Sequence, residues 1–203
     1  LAADRGYLMA DTPLTLAETA SVFAEMLTFR KLVDGADDAG TRRRLLAGKV
    51  EDMLNTVVRQ VAFHNFETRL HESRRTAELT AEEISDIWMD TQRAALGPAV
   101  KTGDDYRPIW GYVPHFVHTP FYVYAYAFGD CLVNALWQSY AGARDAGGTD
   151  AFVASYRELL CAGGTERYDV ALQRFGLDPR DPAFWSMGLD MISGMIDELE
   201  GLS

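Results

Sequence analysis

The stretch Lys49-Val50-Glu51-Asp52-Met53-Leu54-Asn55-Thr56-Val57-Val58-Arg59-Gln60-Val61-Ala62-Phe63-His64-Asn65-Phe66-Glu67-Thr68-Arg69-Leu70 contains neither proline nor glycine, and none follows before Arg75. Its apolar residues Val50, Met53, Leu54, Val57, Val58, Val61, Phe66 and Leu70 return every three or four positions, as on one face of an α-helix. Leu45 and Leu46 extend the pattern backwards. The spacing predicts one long helix over 42–75. The β-branched residues follow this helical period, and no hairpin signal breaks it, so a strand is not expected.

Outward from this helix, prolines and glycines punctuate further helical segments. Thr12 before Pro13 reads as an N-cap and first helical residue, opening a helix over 14–33 with Leu16, Ala20, Phe23, Met26 and Leu27 on its apolar side. Thr80 followed by Glu83 is a capping box, which predicts a helix to about Leu96. Residues 97–108 are polar and turn-rich and read as a loop. A helix is expected from Pro120, capped by Thr119, through Trp137. Thr149 is expected to cap a helix over 152–161. Gly163-Gly164-Thr165-Glu166 reads as a turn and cap before a short helix to Phe175, and a last helix runs over 182–199. The expectation is a single all-α domain over 1–203, an irregular multi-helix bundle.

The formal net charge is −11 and the isoelectric point is near 4.7, which disfavours nucleic acid and anionic membranes as partners. No apolar run reaches the roughly 18 residues of a membrane span. No basic-then-apolar leader opens the chain, and a cytoplasmic location is expected. Cys131 and Cys161 form no C-x-x-C pair and read as buried free thiols. Phosphate-loop, dinucleotide and nucleophile-elbow motifs are absent, as is His-Glu-x-x-His.

Four places carry polar residues worth weighing. Glu18 and Glu25 are two helical turns apart and share one side of the first helix. They are metal or ion-pair candidates, or simply solvated. His64, Glu67 and His71 have spacings that suit a metal site on one helix face, or ordinary surface pairs. Between Trp110 and Tyr126 lie His115, His118 and the tyrosines 112, 122, 124 and 126. Such donors can stabilise an oxyanion or hold a peptide carbonyl, or else pack as an aromatic helix. Tyr122 and Tyr126, four apart, are expected on one helix face. Gly163-Gly164 reads as a structural turn in preference to an anion site.

Two of these places converge on one family. The segment Thr12-Pro13-Leu14-Thr15-Leu16-Ala17-Glu18-Thr19-Ala20-Ser21-Val22-Phe23-Ala24-Glu25 resembles the one that follows the zinc helix in oligoendopeptidase F-type enzymes, relatives of thimet oligopeptidase. Tyr112-Val113-Pro114-His115-Phe116 with Pro120-Phe121-Tyr122-Val123-Tyr124-Ala125-Tyr126-Ala127-Phe128-Gly129 resembles the family's substrate-binding segment. Arg59-Gln60, Phe63, Phe66-Glu67 and Gly163-Gly164-Thr165 match in the same order.

The resemblance implies the carboxy-terminal part of a helical zincin-type metallopeptidase acting on short peptides. Glu18 matches the third zinc ligand, and Glu25 an outer acidic partner that orients a ligand. His115 matches the histidine near the scissile carbonyl. Tyr122 is favoured as its companion, with Tyr126 and Tyr124 in reserve, and His118 takes no catalytic role. In the family, zinc acidifies a bound water that attacks the peptide bond, and donors hold the oxyanion. This chain lacks the two histidine ligands and the base of His-Glu-x-x-His. It is therefore expected to need the remaining amino-terminal part of the same enzyme, and to be inactive alone. The rival readings are a non-enzymatic helical peptide-binding or regulatory domain, and a helical metal protein built on His64, Glu67 and His71.

Overall fold

A computed structural model of the chain describes residues 1–202. The described residues form helices and turns without a β-strand. The α-helices are α1 (Thr19–Asp34), α2 (Ala39–Leu54), α3 (Gln60–Arg74), α4 (Ala81–Leu96), α5 (His115–His118), α6 (Tyr124–Asp145), α7 (Thr149–Ala162), α8 (Tyr168–Leu172) and α9 (Pro182–Glu200). The chain divides into two compact units, Leu1–Glu51 with Phe128–Ser203, and Asp52–Ala127.

The first unit draws its core from Phe23, Met26, Val33, Leu46, Leu132, Leu136, Phe152, Leu172, Ile192 and Met195, all buried. Phe23 of α1 stands edge-on to Tyr140 of α6 and stacks on Phe152 of α7. Asp38 starts α2 by accepting the Thr41 N–H at 2.9 Å, a capping role in the Asp-Asp-Ala-Gly stretch. Asp181 caps α9 through the Ala183 N–H at 2.9 Å, with Pro182 as the first helical residue. Gly163 has φ +56°, and a Cβ there would stand 2.2 Å from the Met9 carbonyl oxygen. The neighbouring Gly164 N–H donates to that carbonyl at 2.9 Å, so the glycine pair is a close-approach turn.

The second unit is built on an aromatic core. Phe63 and Phe66 of α3, Trp88 and Met89 of α4, and Val123 are fully or almost fully buried. Ring centroids of Phe63 and Phe66 each lie 5.3 Å from that of Trp88. The Trp88 indole N–H is satisfied by the Tyr106 carbonyl at 3.0 Å. The Thr80/Glu83 capping box forms as its sequence predicts.

Thr149 is the first residue of α7 and not its cap, Thr165 donates to the Ala162 carbonyl instead of capping α8, and four further local expectations need correction. Pro13 opens a 3₁₀ turn over Leu14–Leu16, and α1 begins only at Thr19. Leu16 is buried within that tight turn. The long helix is interrupted by a π-helical turn over Asn55–Arg59, which periodicity does not reveal because apolar residues flank it on both sides. Residues 104–112 form a 3₁₀ segment, which begins inside the expected 97–108 loop. The expected helix from Pro120 starts instead at Tyr124, because Phe121 adopts φ +61°, which no right-handed helix accommodates.

Candidate active-site residues

In the first unit, Glu18 occupies the entrance to α1, not its interior. Its backbone carbonyl accepts the Val22 N–H at 3.0 Å, and its Oε2 accepts the Ser21 hydroxyl at 3.2 Å. The side chain is exposed, so its carboxylate is available to a ligand. A Cβ at Gly129 would lie 3.7 Å from the Glu18 Cβ, an ordinary contact, so α6 passes close to this residue.

Glu25 is committed to an ion pair. It accepts from the Lys49 ammonium at 2.5 Å, where Lys49 is 7% exposed and Glu25 58%. Lys49 also acts electrostatically on Asp130, which is buried and accepts the Asn134 amide at 3.1 Å. Burial pushes the Asp130 carboxyl up to about 6, with the Lys49 charge and the Asn134 hydrogen bond opposing the rise and Glu25 adding to it. The sequence reading missed this network because its members are scattered over three helices.

In the second unit, α5 presents His115 while the adjacent Phe116 packs against the aromatic core, 5.0 Å from Phe66 and 5.5 Å from Phe63 between ring centroids. His115 Nε2 lies 3.1 Å from the Tyr126 hydroxyl. Tyr122 stacks on the His115 ring at 5.7 Å and meets the Tyr126 ring at 5.2 Å. All three are half-buried. Tyr122 precedes α6, so the shared helix face expected for Tyr122 and Tyr126 is replaced by a turn that brings them together. Tyr126, not Tyr122, makes the hydrogen bond to His115.

In one imidazole tautomer, Nε2–H donates to the Tyr126 oxygen. In the other, the phenol donates to Nε2 and Nδ1–H is the free donor. In that second tautomer His115 offers a hydrogen-bond donor on a partly exposed surface. His118 and Tyr124 are exposed.

The histidines of α3 form aromatic contacts. The His64 ring lies 5.9 Å from Tyr124, and the His71 ring lies 4.9 Å from Phe121. Glu67 between them is completely buried, against the expectation of an exposed charged face. Its Oε1 accepts the backbone N–H of Phe121 at 2.9 Å. Among the described residues, no three His, Cys, Asp or Glu side chains gather into a metal-holding group. Cys131 and Cys161 are free, Cys161 being only partly buried. Desolvation pushes the Cys131 thiol up to about 12, which rules it out as a nucleophile near neutrality.

The peptidase family M3 model matches residues 3–191. The chain belongs to peptidase family M3. It is 26% identical over 197 residues to an oligoendopeptidase F homolog of Lactococcus lactis subsp. lactis (strain IL1403), covering 97% of this chain and 32% of that protein. It is 27% identical to the oligopeptidase PepF of Bacillus subtilis (strain 168), covering 97% of this chain and 28% of that protein. The crystal structure of oligoendopeptidase-F from Enterococcus faecium superposes with a TM-score of 0.81 at 26% identity, over 93% of this chain and 35% of that one. The M3 chain is thus oligoendopeptidase F-like and all-helical, and it spans about a third of the length of the curated relatives it matches.

Proposed function

We propose that this chain is part of the catalytic domain of a zinc-dependent oligoendopeptidase that hydrolyses short peptides. In this reading it supplies one metal-ligating carboxylate, Glu18, and peptide-carbonyl donors from His115, Tyr126 and Tyr122. The observation that carries the reading is the His115–Tyr126 hydrogen bond of 3.1 Å in a chain that matches family M3 over residues 3–191. Glu18 is exposed at a helix entrance, as suits a ligand. Glu25, held by Lys49, would orient a neighbouring ligand through its second oxygen.

The residues of this chain do not by themselves compose a zinc site, since one carboxylate is a poor set. The two histidine ligands and the base are assigned to a His-Glu-x-x-His helix outside this sequence, in the amino-terminal part of the same enzyme. The contribution of this chain is to donate hydrogen bonds where negative charge develops. Such a donor contributes about 10²- to 10³-fold in rate when it is preorganised. His115 is preorganised by its neighbour Phe116, anchored in the aromatic core, and by the rings of Tyr122 and Tyr126. The whole stretch serves one catalytic domain. No helix among the described residues is long and apolar enough to cross a membrane, and we place the enzyme in the cytoplasm.

The test is metal content and cleavage of an internally quenched peptide, measured on this chain and on a longer protein that includes the His-Glu-x-x-His helix. The chain alone is expected to hold substoichiometric zinc and to turn nothing over. The longer protein is expected to do both and to lose both on Glu18→Ala. Stoichiometric zinc with turnover by residues 1–203, or an unaffected Glu18→Ala protein, contradicts the proposal.

A further inference from the structure

The least expected side chain of the second unit is Glu67. A carboxyl group with 0% exposure is costly to bury unless it is hydrogen-bonded. Its Oε1 has one partner, the Phe121 N–H at 2.9 Å, 54 positions along the chain, and its Oε2 is buried without a partner. This carboxyl therefore contributes little to cohesion beyond the one bond to Phe121.

Phe121 is the non-glycine residue with positive φ among the described residues, at +61°. For an aromatic L-residue that conformation is strained and persists only where the surroundings enforce it. Two anchors flank the turn. Phe116 packs on the aromatic core before it, and Val123, with 0% exposure, is buried in that core after it. Between these anchors, Phe121 is 40% exposed, so burial of its own side chain does not explain its backbone. Its ring meets His71 at 4.9 Å and the Tyr122 N–H closes the turn on the Thr119 carbonyl at 3.2 Å, while the Phe121 N–H itself is held from α3 by Glu67. The next residue is Tyr122, whose ring stacks on His115 and meets Tyr126.

We propose that Glu67 is a positioning residue: by gripping the Phe121 N–H it holds the 119–123 turn in the conformation that sets Tyr122 against His115 and Tyr126. Its kinetic consequence rests on the peptidase reading above, while its structural consequence does not. The Glu67 hydrogen bond is to backbone and not to His115, so Glu67 acts through the course of the chain.

The experiment has two arms. In the chain of residues 1–203, amide hydrogen exchange reads Phe121 directly. Glu67→Met keeps the volume and removes the acceptor, and should speed Phe121 exchange by about 10- to 100-fold, the worth of a hydrogen bond to a carboxylate. Buried amides of α3 and α4 should keep their protection. Glu67→Gln keeps an acceptor oxygen and should restore the protection. Phe121→Gly keeps the N–H and tolerates the left-handed backbone, and should remain protected.

In the longer protein, Glu67→Met should lower kcat about tenfold with KM within twofold, and Glu67→Gln should recover most of that loss. Phe121 exchange unchanged in Glu67→Met overturns the proposal, as does loss of protection in Phe121→Gly, which would make the side chain the anchor. If Glu67→Met does not fold, Glu67→Gln and Phe121→Gly still decide, since loss of Phe121 protection in either overturns the proposal. Exposure of the Phe121 amide with unchanged kcat overturns the catalytic consequence. A wild-type longer protein without hydrolysis sinks the peptidase reading, and the exchange arm then stands alone on the Glu67–Phe121 grip.

Discussion

Each compact unit buries a carboxylate, and the partners differ in kind. Asp130, 5% exposed, sits among side chains: the Asn134 amide, the Lys49 charge, and Glu25 beyond it. Glu67, 0% exposed, answers to a backbone N–H across a turn. A carboxylate among charged side chains responds to pH and to its neighbours' charges. One that grips backbone fixes the course of the chain. Asp130, on α6, is linked through Lys49 to Glu25 of α1, and Glu67, on α3, bonds the turn that carries Tyr122, so each supports a different candidate residue.

The comparison can be strained from both sides. The largest expected effect is on the aromatic floor beneath Glu67. Trp88→Ala opens a cavity among Phe63, Phe66 and Phe116 and leaves the Tyr106 carbonyl without its donor, costing about 4 kcal/mol in denaturant unfolding. A loss under 1 kcal/mol would mean that the second unit does not depend on this core.

Lys49→Met comes next. It strips the buried cation from both Glu25 and Asp130, at a cost of about 3 kcal/mol at pH 8. Without the Lys49 charge the Asp130 carboxyl rises further, so the loss should be smaller at pH 5, where that carboxyl is protonated. An equal loss at both pH values would uncouple Lys49 from Asp130.

The smallest effect tests the sign of the Asp130 shift. Its folded pKa of about 6 exceeds the ordinary 3.8, so the folded state keeps a proton that the unfolded chain releases between those values. The contribution of Asp130 to stability is therefore fully present below pH 4 and lost as pH rises through 6. Asp130→Asn, which still accepts from Asn134, removes that loss. Relative to the wild type it should gain on the order of 2 kcal/mol at pH 7 and nothing at pH 3.5. A variant whose difference from the wild type does not change between these pH values would place Asp130 in water.

Much of this was legible from residue order. The helical period, the Thr80/Glu83 capping box, the Asp181-Pro182 start of α9 and the Gly163-Gly164 turn are local signals, and the structure forms each of them. The breaks were harder to see. Pro120 is as good a helix opener as Pro182, and only the left-handed Phe121, held from α3, moves the start to Tyr124. The π-turn at Asn55–Arg59 leaves apolar spacing intact on either side. Glu67 lies in a crowd of polar residues that reads as surface, and its burial depends on a turn 54 positions away. The approach of His115 to Tyr126 likewise depends on that turn, not on helical spacing.

The central claim is that His115 and Tyr126 act as one donor unit on the peptide carbonyl. A double-mutant cycle on kcat/KM, in the protein that includes the His-Glu-x-x-His helix, tests it most directly. His115→Ala is expected to lose about 10²- to 10³-fold and Tyr126→Phe about tenfold. The double variant should lose little more than His115→Ala alone, because partners in one hydrogen bond are not additive. Fully additive losses, or a His115→Ala enzyme as fast as the wild type, would contradict the account.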